Sequence, residues 1–494
     1  MTATKLRASL EGLDEFIDDQ LQLWKGVGTA VAVIHKDEVI WQKGYGYRDL
    51  ESKLEVTPNT LFAIGSSTKA FTAATAALLV DQGILDWDAP VKTYMKEFQM
   101  FDPVATERLT IRDMLCHRSG LPRHELVWYN SPRTREELVR TLRYLEPNQD
   151  FRNKWQYQNL MYMTAGYLVG LLNETSWEQV VQKSLFNPLG MNSSLFSVDK
   201  MQLQPDYACP YIEKDGQNTR TPFRAIDAVG PAGSINSNLV DMIAWLQFQL
   251  HQGQWEGTSL ISKEQMKIMH SPQMPSDSPF TSQELPVSTY GLGWMIEPYR
   301  GHAMIHHGGA IDGFASQVAF LPNEQIGIVV LSNTNGSVIP YTVAFHIMDQ
   351  LLELEPVDWS SRFARLIGKE FPEEPEVPSE SPSIPEPTVD EGTVGSQVQS
   401  YDSPVHTYVG VYTHPGYGEM LIQGTTEGLL VTLNAIEMPM EYTGKDTFSV
   451  EFVLFGLKVM FTFNVNESSE VAQSISIPLL LEPGTKPIEF TRVS

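Results

Sequence analysis

A charged side chain stands at the mouth of an almost wholly apolar run. Phe62-Ala63-Ile64-Gly65-Ser66-Ser67-Thr68-Lys69-Ala70-Phe71 leads straight into Thr72-Ala73-Ala74-Thr75-Ala76-Ala77-Leu78-Leu79-Val80, and Gly83 follows. Glycine and serines before an alanine-rich run, with a glycine after it, predict the start, body and stop of a buried helix. Ser66 then sits at the helix N-terminus, and Lys69, three residues on, rises on the same face with its amine near the Ser66 hydroxyl. A buried lysine needs a reason. If desolvation holds it neutral, it can take the proton of a serine hydroxyl that is otherwise a poor nucleophile, and the helix N-terminus favours negative charge developing beside it. The ordinary alternative is a capping serine and a solvated first-turn lysine; Ser-x-x-Lys alone does not choose between the two.

Composition narrows the function. A chain of 494 residues with 42% hydrophobic content has room for two or three domains with real cores. Sixty acidic against 35 basic residues give a net charge of -25, which argues against nucleic acid or an anionic membrane surface as partner. Cys116 and Cys209 cannot form a disulfide framework for this length, and their apolar neighbours predict buried free thiols. Met1 to Gly12 lacks the apolar centre of a signal peptide, and no run reaches the length of a membrane span. A cytoplasmic location is expected if the sequence is complete, a secreted or periplasmic one if a leader has been removed.

Apolar residues at helical spacing predict an amphipathic helix from Leu10 to Trp24. The runs Gly28 to His35 and Glu38 to Gly46, separated only by Lys36-Asp37, read as a hairpin. From Asp86 to about Tyr211 the pattern is mainly helical. It includes a helix from Leu109 that Gly120 is expected to end, with His117 as a structural hydrogen-bonding group near its end. Tyr157-Gln158-Asn159 precedes the apolar helix Leu160 to Leu172, and in extended backbone Tyr157 and Asn159 point the same way. Gly230-Pro231-Ala232-Gly233-Ser234 opens another helix, Asn238 to Leu250, with Asp241 in its first turn. Four strand candidates follow, at Tyr290 to Ile296, Ala303 to Gly309, Ala315 to Leu321 and Ile326 to Asn333, and Val343 to Leu354 reads as a closing helix. Strands at both ends with helices between predict an α+β fold: one antiparallel sheet built from the two termini, flanked by helices, with an inserted helical lobe.

The expected organisation is a first domain over 1–368, a linker over 369–404 and a second domain over 405–494. Six prolines among glutamates and serines between Phe371 and Pro387 predict an extended linker. About eight short β-patterned runs after it predict an all-β barrel or sandwich. That module shows no cluster of catalytic side chains, so it is expected to serve as a lid, a docking surface or an assembly module, including homo-oligomerisation through it.

Taken in order, Ser66-Ser67-Thr68-Lys69, Tyr157-Gln158-Asn159 and His306-His307-Gly308-Gly309 resemble the motif set of the serine β-lactamase and penicillin-binding-protein family, in its class C-like branch. The resemblance covers roughly residues 10 to 355. It implies a β-lactamase/transpeptidase-like fold, with the second domain as a lipocalin-like barrel, and an acyl-enzyme formed on Ser66. Lys69 and Tyr157 would share the proton traffic, with Tyr157 as phenolate-type base or as acid to the leaving group. Asn159 would orient Lys69 and the substrate amide. Backbone N–H groups of Ser66 and Gly309 would form the oxyanion hole. The resemblance calls for no metal and no cofactor.

One departure bears on the substrate. Penicillin-recognising members usually carry Lys-Thr-Gly where this chain has His306-His307-Gly308, and a histidine is mostly neutral at pH 7. His307-Gly308-Gly309 also satisfies His-x-Gly; the sequence favours His306 as the residue facing the site. The resemblance therefore implies a peptidase or amidase acting on peptides containing D-amino acids or on related small amides. The alternatives are a class C-like carboxylesterase, a weak β-lactamase or penicillin-binding protein, and a non-catalytic sensor that keeps the fold.

Overall fold

A computed structural model describes residues 3–214, 216–278, 280–369, 402–452, 457–465, 470–480 and 482–493. Residues 370–401, most of the expected linker, lie outside the described residues. The first part of the chain is organised on a nine-stranded antiparallel sheet. Its strands run, edge to edge, Met274–Pro275, Thr289–Tyr290, Met295–Tyr299, His302–Ile311, Phe314–Leu321, Ile326–Ser332, Gly28–His35, Glu38–Asp49 and Leu54–Glu55. The N-terminal strand lies against the last one, from Thr29 opposite Ser332 to His35 opposite Ile326, so the sheet is closed by the two ends of the domain, as the sequence predicts.

Three adjacent strands, Gly28–His35, Phe314–Leu321 and Ile326–Ser332, are buried at every position, because helices cover both faces. Val31, Val33, Ile328 and Val330 pack with the helices Leu13–Leu23 and Ile339–Leu351. The alternate residues Ala30, Ala32, Val329 and Leu331 pack with Lys69–Asp81 and Leu239–Leu250. In chain order the helical lobe falls between Lys69–Asp81 and Leu239–Leu250, its helices running from Pro103–Arg108 to Val198–Met201. Among the described residues no helix is long and apolar enough to cross a membrane. Cys116 and Cys209 are buried free thiols.

Several boundaries differ from the sequence reading. The first amphipathic helix begins at Leu13 rather than Leu10, because Gly12 adopts φ 83°, and a separate short helix, Ala3–Ser9, precedes it. The helix expected to stop at Gly120 is Ile111–Leu115, and His117, at φ 60°, makes the left-handed turn after it. The strand expected over Tyr290 to Ile296 is broken between Tyr290 and Met295, with Gly293 at φ 83°. A hairpin, Tyr211–Lys214 with Gln217–Arg220, and a helix, Trp359–Leu366, were not legible.

The C-terminal part is a closed eight-stranded barrel running from Gly410–His414 to Ile488–Arg492. Alternation is strict on Gly428–Leu433, where Leu429, Val431 and Leu433 point inward. Tyr412, Phe448, Phe461 and Phe490 are fully buried in it.

Candidate active site

The serine turn is pressed onto the strand His302–Ile311. Ser66 lies in a 3-10 turn, Gly65–Thr68, that runs into the helix Lys69–Asp81. Gly65 adopts φ 51°, and a Cβ there would stand 2.8 Å from the Ala310 nitrogen. On the strand side, a Cβ on Gly309 would stand 1.9 Å from the Ile64 carbonyl oxygen. Only glycine at 309 allows this approach. Hydroxyls then stitch the two segments: Ser67 Oγ donates to the His307 carbonyl at 3.1 Å, and Ser316 Oγ to the Ile64 carbonyl at 2.8 Å.

Lys69 is completely buried, and its Nζ has three neighbours: Ser66 Oγ at 3.0 Å, Asn159 Oδ1 at 2.8 Å and the Ala232 carbonyl at 2.8 Å. Burial drives its pKa well below the usual lysine value, Arg123 adds to the depression, and Glu125 opposes it. The carbonyl acceptor comes from the glycine- and proline-rich segment before the helix Leu239–Leu250. Thr72 Oγ1 donates to the Pro231 carbonyl at 2.6 Å, and Gly166 lets Pro231 sit where a Cβ would clash at 2.3 Å. That acceptor was invisible in sequence, because a main-chain oxygen has no residue signature.

Tyr157 arrives from the helical lobe on a loop held from behind. His117 accepts the Gln158 N–H at 2.9 Å on Nδ1 and the Gln156 N–H at 2.8 Å on its carbonyl, and its ring lies 4.4 Å from that of Tyr157. The expected structural role for His117 matches this. Gln158 Oε1 then caps the helix Asn159–Leu172 through the Leu160 N–H. The buried Asp113 carboxylate ties the same region together, accepting from Arg118 and Arg152. Lys69 Nζ lies 4.6 Å from the Tyr157 ring centre. Burial pushes the Tyr157 phenol pKa up, against a hydrogen bond with Ser66 that pulls it down.

The histidine pair resolves by strand alternation. His307 and Gly309 face the serine turn. His307 packs 6.2 Å from Tyr157, accepts the Tyr290 O–H on Nε2 at 2.8 Å, and sends Nδ1 to the Gly308 carbonyl at 2.6 Å. Burial, reinforced by Lys69, lowers its pKa to about 3, so it is neutral near pH 7. His306, favoured from sequence, points to the opposite face. There its Nε2 donates to Glu297 at 3.0 Å, and its Nδ1 accepts from Gln317 at 2.9 Å. The preference for His306 is thus corrected: two consecutive strand residues cannot both face the serine, and a glycine is needed at 309, against Ile64.

Arg123 and Glu125 were missed. The Arg123 guanidinium lies 4.9 Å from the Tyr157 ring centre and binds Glu125 at 2.6 Å, while Glu125 accepts the Asn159 Nδ2–H groups at 3.3 Å. No local pattern in the sequence marks them. All these groups border or back a cleft of about 880 Å³ lined by Ser66, Tyr157, His307, Trp155, Phe280 and Tyr341, among others. The barrel adds Glu482 and Pro483 to its wall. Among the described residues no group of three or more His, Cys, Asp or Glu side chains is arranged to hold a metal ion.

Comparison with known proteins bears on the family and the fold. A family model described as Beta-lactamase matches residues 13–351, and one described as a domain of unknown function (DUF3471) matches residues 396–492. The unguisins hydrolase ungD' of Aspergillus campestris is 29% identical over 436 residues, covering 83% of this chain and 76% of that protein. Among solved structures, the octameric penicillin-binding protein homologue from Pyrococcus abyssi superposes with a TM-score of 0.63 at 21% identity, over 98% of this chain and 100% of that one. The D-amino acid amidase from Ochrobactrum anthropi SV3 superposes with a TM-score of 0.59 at 22% identity, over 71% and 98%.

Proposed function

Since the chain belongs to the Beta-lactamase family and is a serine hydrolase of that fold, we propose that it forms an acyl-enzyme on Ser66 and acts on peptides containing D-amino acids or on related small amides. The observation that carries the mechanism is the set of partners around Lys69. A neutral amine has two N–H donors and one lone pair. The Asn159 Oδ1 and Ala232 carbonyl oxygens can only accept, so they take both donors. An ammonium would donate to Ser66 Oγ as well; in the neutral form, which burial favours, the lone pair is left for the Ser66 O–H across 3.0 Å.

Lys69 then removes the proton as Ser66 attacks the carbonyl. Tyr157, kept as a neutral phenol by burial, delivers a proton to the departing amine rather than standing as a phenolate. With His307 as the first residue of its triplet, the amide that follows Gly309 is that of Ala310, which lies against Gly65. We assign the oxyanion hole to the N–H groups of Ser66 and Ala310 in place of the Ser66 and Gly309 pair expected from sequence; each donor is worth on the order of 3 kcal/mol. Water attacks the acyl-enzyme in the second half, with the proton roles reversed.

The substrate class rests on two supports. His307 gives the strand no fixed cation for a substrate carboxylate, which lowers the expectation of strong β-lactamase activity. The likeness to a hydrolase named for unguisins supports hydrolysis, and the likeness to a D-amino acid amidase supports amide substrates. The test is a panel of D- and L-aminoacyl p-nitroanilides, p-nitrophenyl esters and a chromogenic cephalosporin, run with wild type and Ser66→Ala. D-aminoacyl amides are expected to be turned over best, and Ser66→Ala to abolish turnover and fluorophosphonate labelling. Turnover unchanged in Ser66→Ala overturns the mechanism, and turnover of esters alone overturns the substrate class.

A further inference from the structure

We propose that the C-terminal barrel is a positioning element for the acylation site, acting through the segment 123–130 and, within it, through Glu125 as the residue that fixes the Asn159 amide. This rests on the reading of Ser66 and Lys69 given above, and extends it to a part of the chain with no assigned role.

The Asn159 amide must present Oδ1 to Lys69, since the reverse orientation would point an N–H at the lone pair that Ser66 needs. Nothing intrinsic to an asparagine prefers one orientation, because the two ends of the amide are nearly the same shape. Glu125 breaks the tie: its two carboxylate oxygens lie 3.3 Å from Nδ2 and can only accept. Arg123 holds Glu125 by its Nε at 2.6 Å, with the guanidinium 4.9 Å from the Tyr157 ring centre. Both groups that flank the nucleophile are thus backed by one short stretch of chain.

That stretch does not hold itself. His124 sits at φ 48° and Asn130 at φ 51°, a left-handed conformation that costs a non-glycine residue and persists only where surroundings impose it. The helix between them is a single turn, Glu125–Trp128. Part of the restraint is local, since the Tyr129 hydroxyl donates to Asp312 at 2.6 Å and Gln158 donates to the Pro122 carbonyl, and the barrel supplies the rest. Tyr417 Oη lies 2.7 Å from His124 Nδ1 in a fully buried contact. Asn434 Nδ2 donates to the Leu126 carbonyl at 2.7 Å and to the Tyr129 carbonyl at 3.0 Å, and its own carbonyl accepts from Asn130 Nδ2 at 2.7 Å. Glu482 accepts the Arg123 N–H at 2.8 Å. Three separate barrel loops therefore grip main chain and side chains at positions 123, 124, 126, 129 and 130, and leave Glu125 facing the other way, onto Asn159.

The test uses the full chain with two sets of variants, scored by kcat, KM, the pH profile of kcat/KM and the rate of fluorophosphonate labelling of Ser66. In the site, Glu125→Leu frees the Asn159 amide and is expected to lower kcat and labelling by about a hundredfold, on the scale of lost supporting contacts, with KM little changed. Glu125→Gln keeps an acceptor and recovers most of that loss, while the acid limb of its pH profile moves down because a negative charge near Lys69 is gone. In the barrel, Tyr417→Phe combined with Asn434→Gly removes the side-chain bonds to His124, Leu126 and Tyr129 without entering the cleft, leaves the main-chain carbonyl at 434 and Glu482 in place, and glycine tolerates the φ of 51° at position 434. That pair is expected to lower kcat by about tenfold, and to cost almost nothing further once Glu125→Leu is present. The proposal is overturned if the barrel pair lowers only the melting temperature, if its effect multiplies in full with that of Glu125→Leu, or if Glu125→Leu labels at the wild-type rate. Ser66→Ala in the same assays separates the two levels. Residual turnover there sinks the nucleophile assignment, whereas a silent Ser66→Ala beside normal barrel variants sinks only the positioning role.

Discussion

Adding one methyl group at Gly309 tests how the serine turn is held. A Cβ at this position would lie 1.9 Å from the Ile64 carbonyl oxygen and 2.6 Å from Ser316 Oγ, where ordinary contact begins at 3.4 Å. The nearest atom is main chain, in the residue before Gly65, so no side-chain rotation relieves the overlap. Strand and turn must separate by roughly 1.5 Å, the difference between 3.4 and 1.9 Å. The hydroxyl stitches of Ser67 and Ser316 stretch with them. Misplacement of about 1 Å costs on the order of a hundredfold in rate, and overpacking costs about 1–3 kcal/mol of stability. Gly309→Ala is therefore expected to lose at least a hundredfold in fluorophosphonate labelling of Ser66 and to melt at a lower temperature. Gly308→Ala is the control on the same strand. Its Cβ would meet the Tyr341 hydroxyl at 1.8 Å, the far end of a side chain that borders the cleft and can swing away. Labelling there should stay within about tenfold of wild type. Equal labelling of Gly309→Ala and wild type would refute the packing argument.

Other perturbations separate chemistry from scaffolding. Lys69→Met should reduce labelling of Ser66 by about 10²–10⁴, the usual contribution of a positioned base. The same variant carries a stability signature. The native Lys69 pKa lies well below the unfolded value of about 10.4, so between the two the unfolded chain binds a proton that the folded chain does not. Wild-type stability to urea should therefore rise with pH across that window relative to Lys69→Met, and a flat difference would contradict a depressed pKa. Asp113→Asn leaves the partly exposed Arg118 and Arg152 without their carboxylate and should cost about 1–3 kcal/mol by urea titration. His307→Lys restores a strand cation beside Tyr157 and should raise kcat/KM for a chromogenic cephalosporin relative to an uncharged ester; no change in that ratio would remove the carboxylate argument.

The parts of the site that sequence revealed are those set by short spacing. Ser66 and Lys69 meet because three residues make nearly one helical turn, and Tyr157 and Asn159 flank a capping Gln158. The sheet was legible because its central strands are buried on both faces and so read as unbroken apolar runs. What was not legible depends on partners distant in the chain. A pair of consecutive histidines gives no parity until Gly309 is found against Ile64. Arg123 and Glu125 acquire their positions from Tyr417, Asn434 and Asn159, hundreds or tens of residues away. The helix before His117 ends early for a similar reason. His117 takes a turn position that glycine usually fills, and its ring and carbonyl are repaid with hydrogen bonds from Gln158 and Gln156.

The central claim is that a neutral Lys69 draws the proton from Ser66. The rate of Ser66 phosphonylation by a fluorophosphonate, followed against pH with the adduct located by mass spectrometry, reads this directly. A rate already at its plateau near neutral pH, with an acid limb far below the ordinary lysine value of about 10.4, is the predicted result. A rate that climbs through pH 10 as a solvated lysine would titrate, or an adduct on a residue other than Ser66, would contradict it.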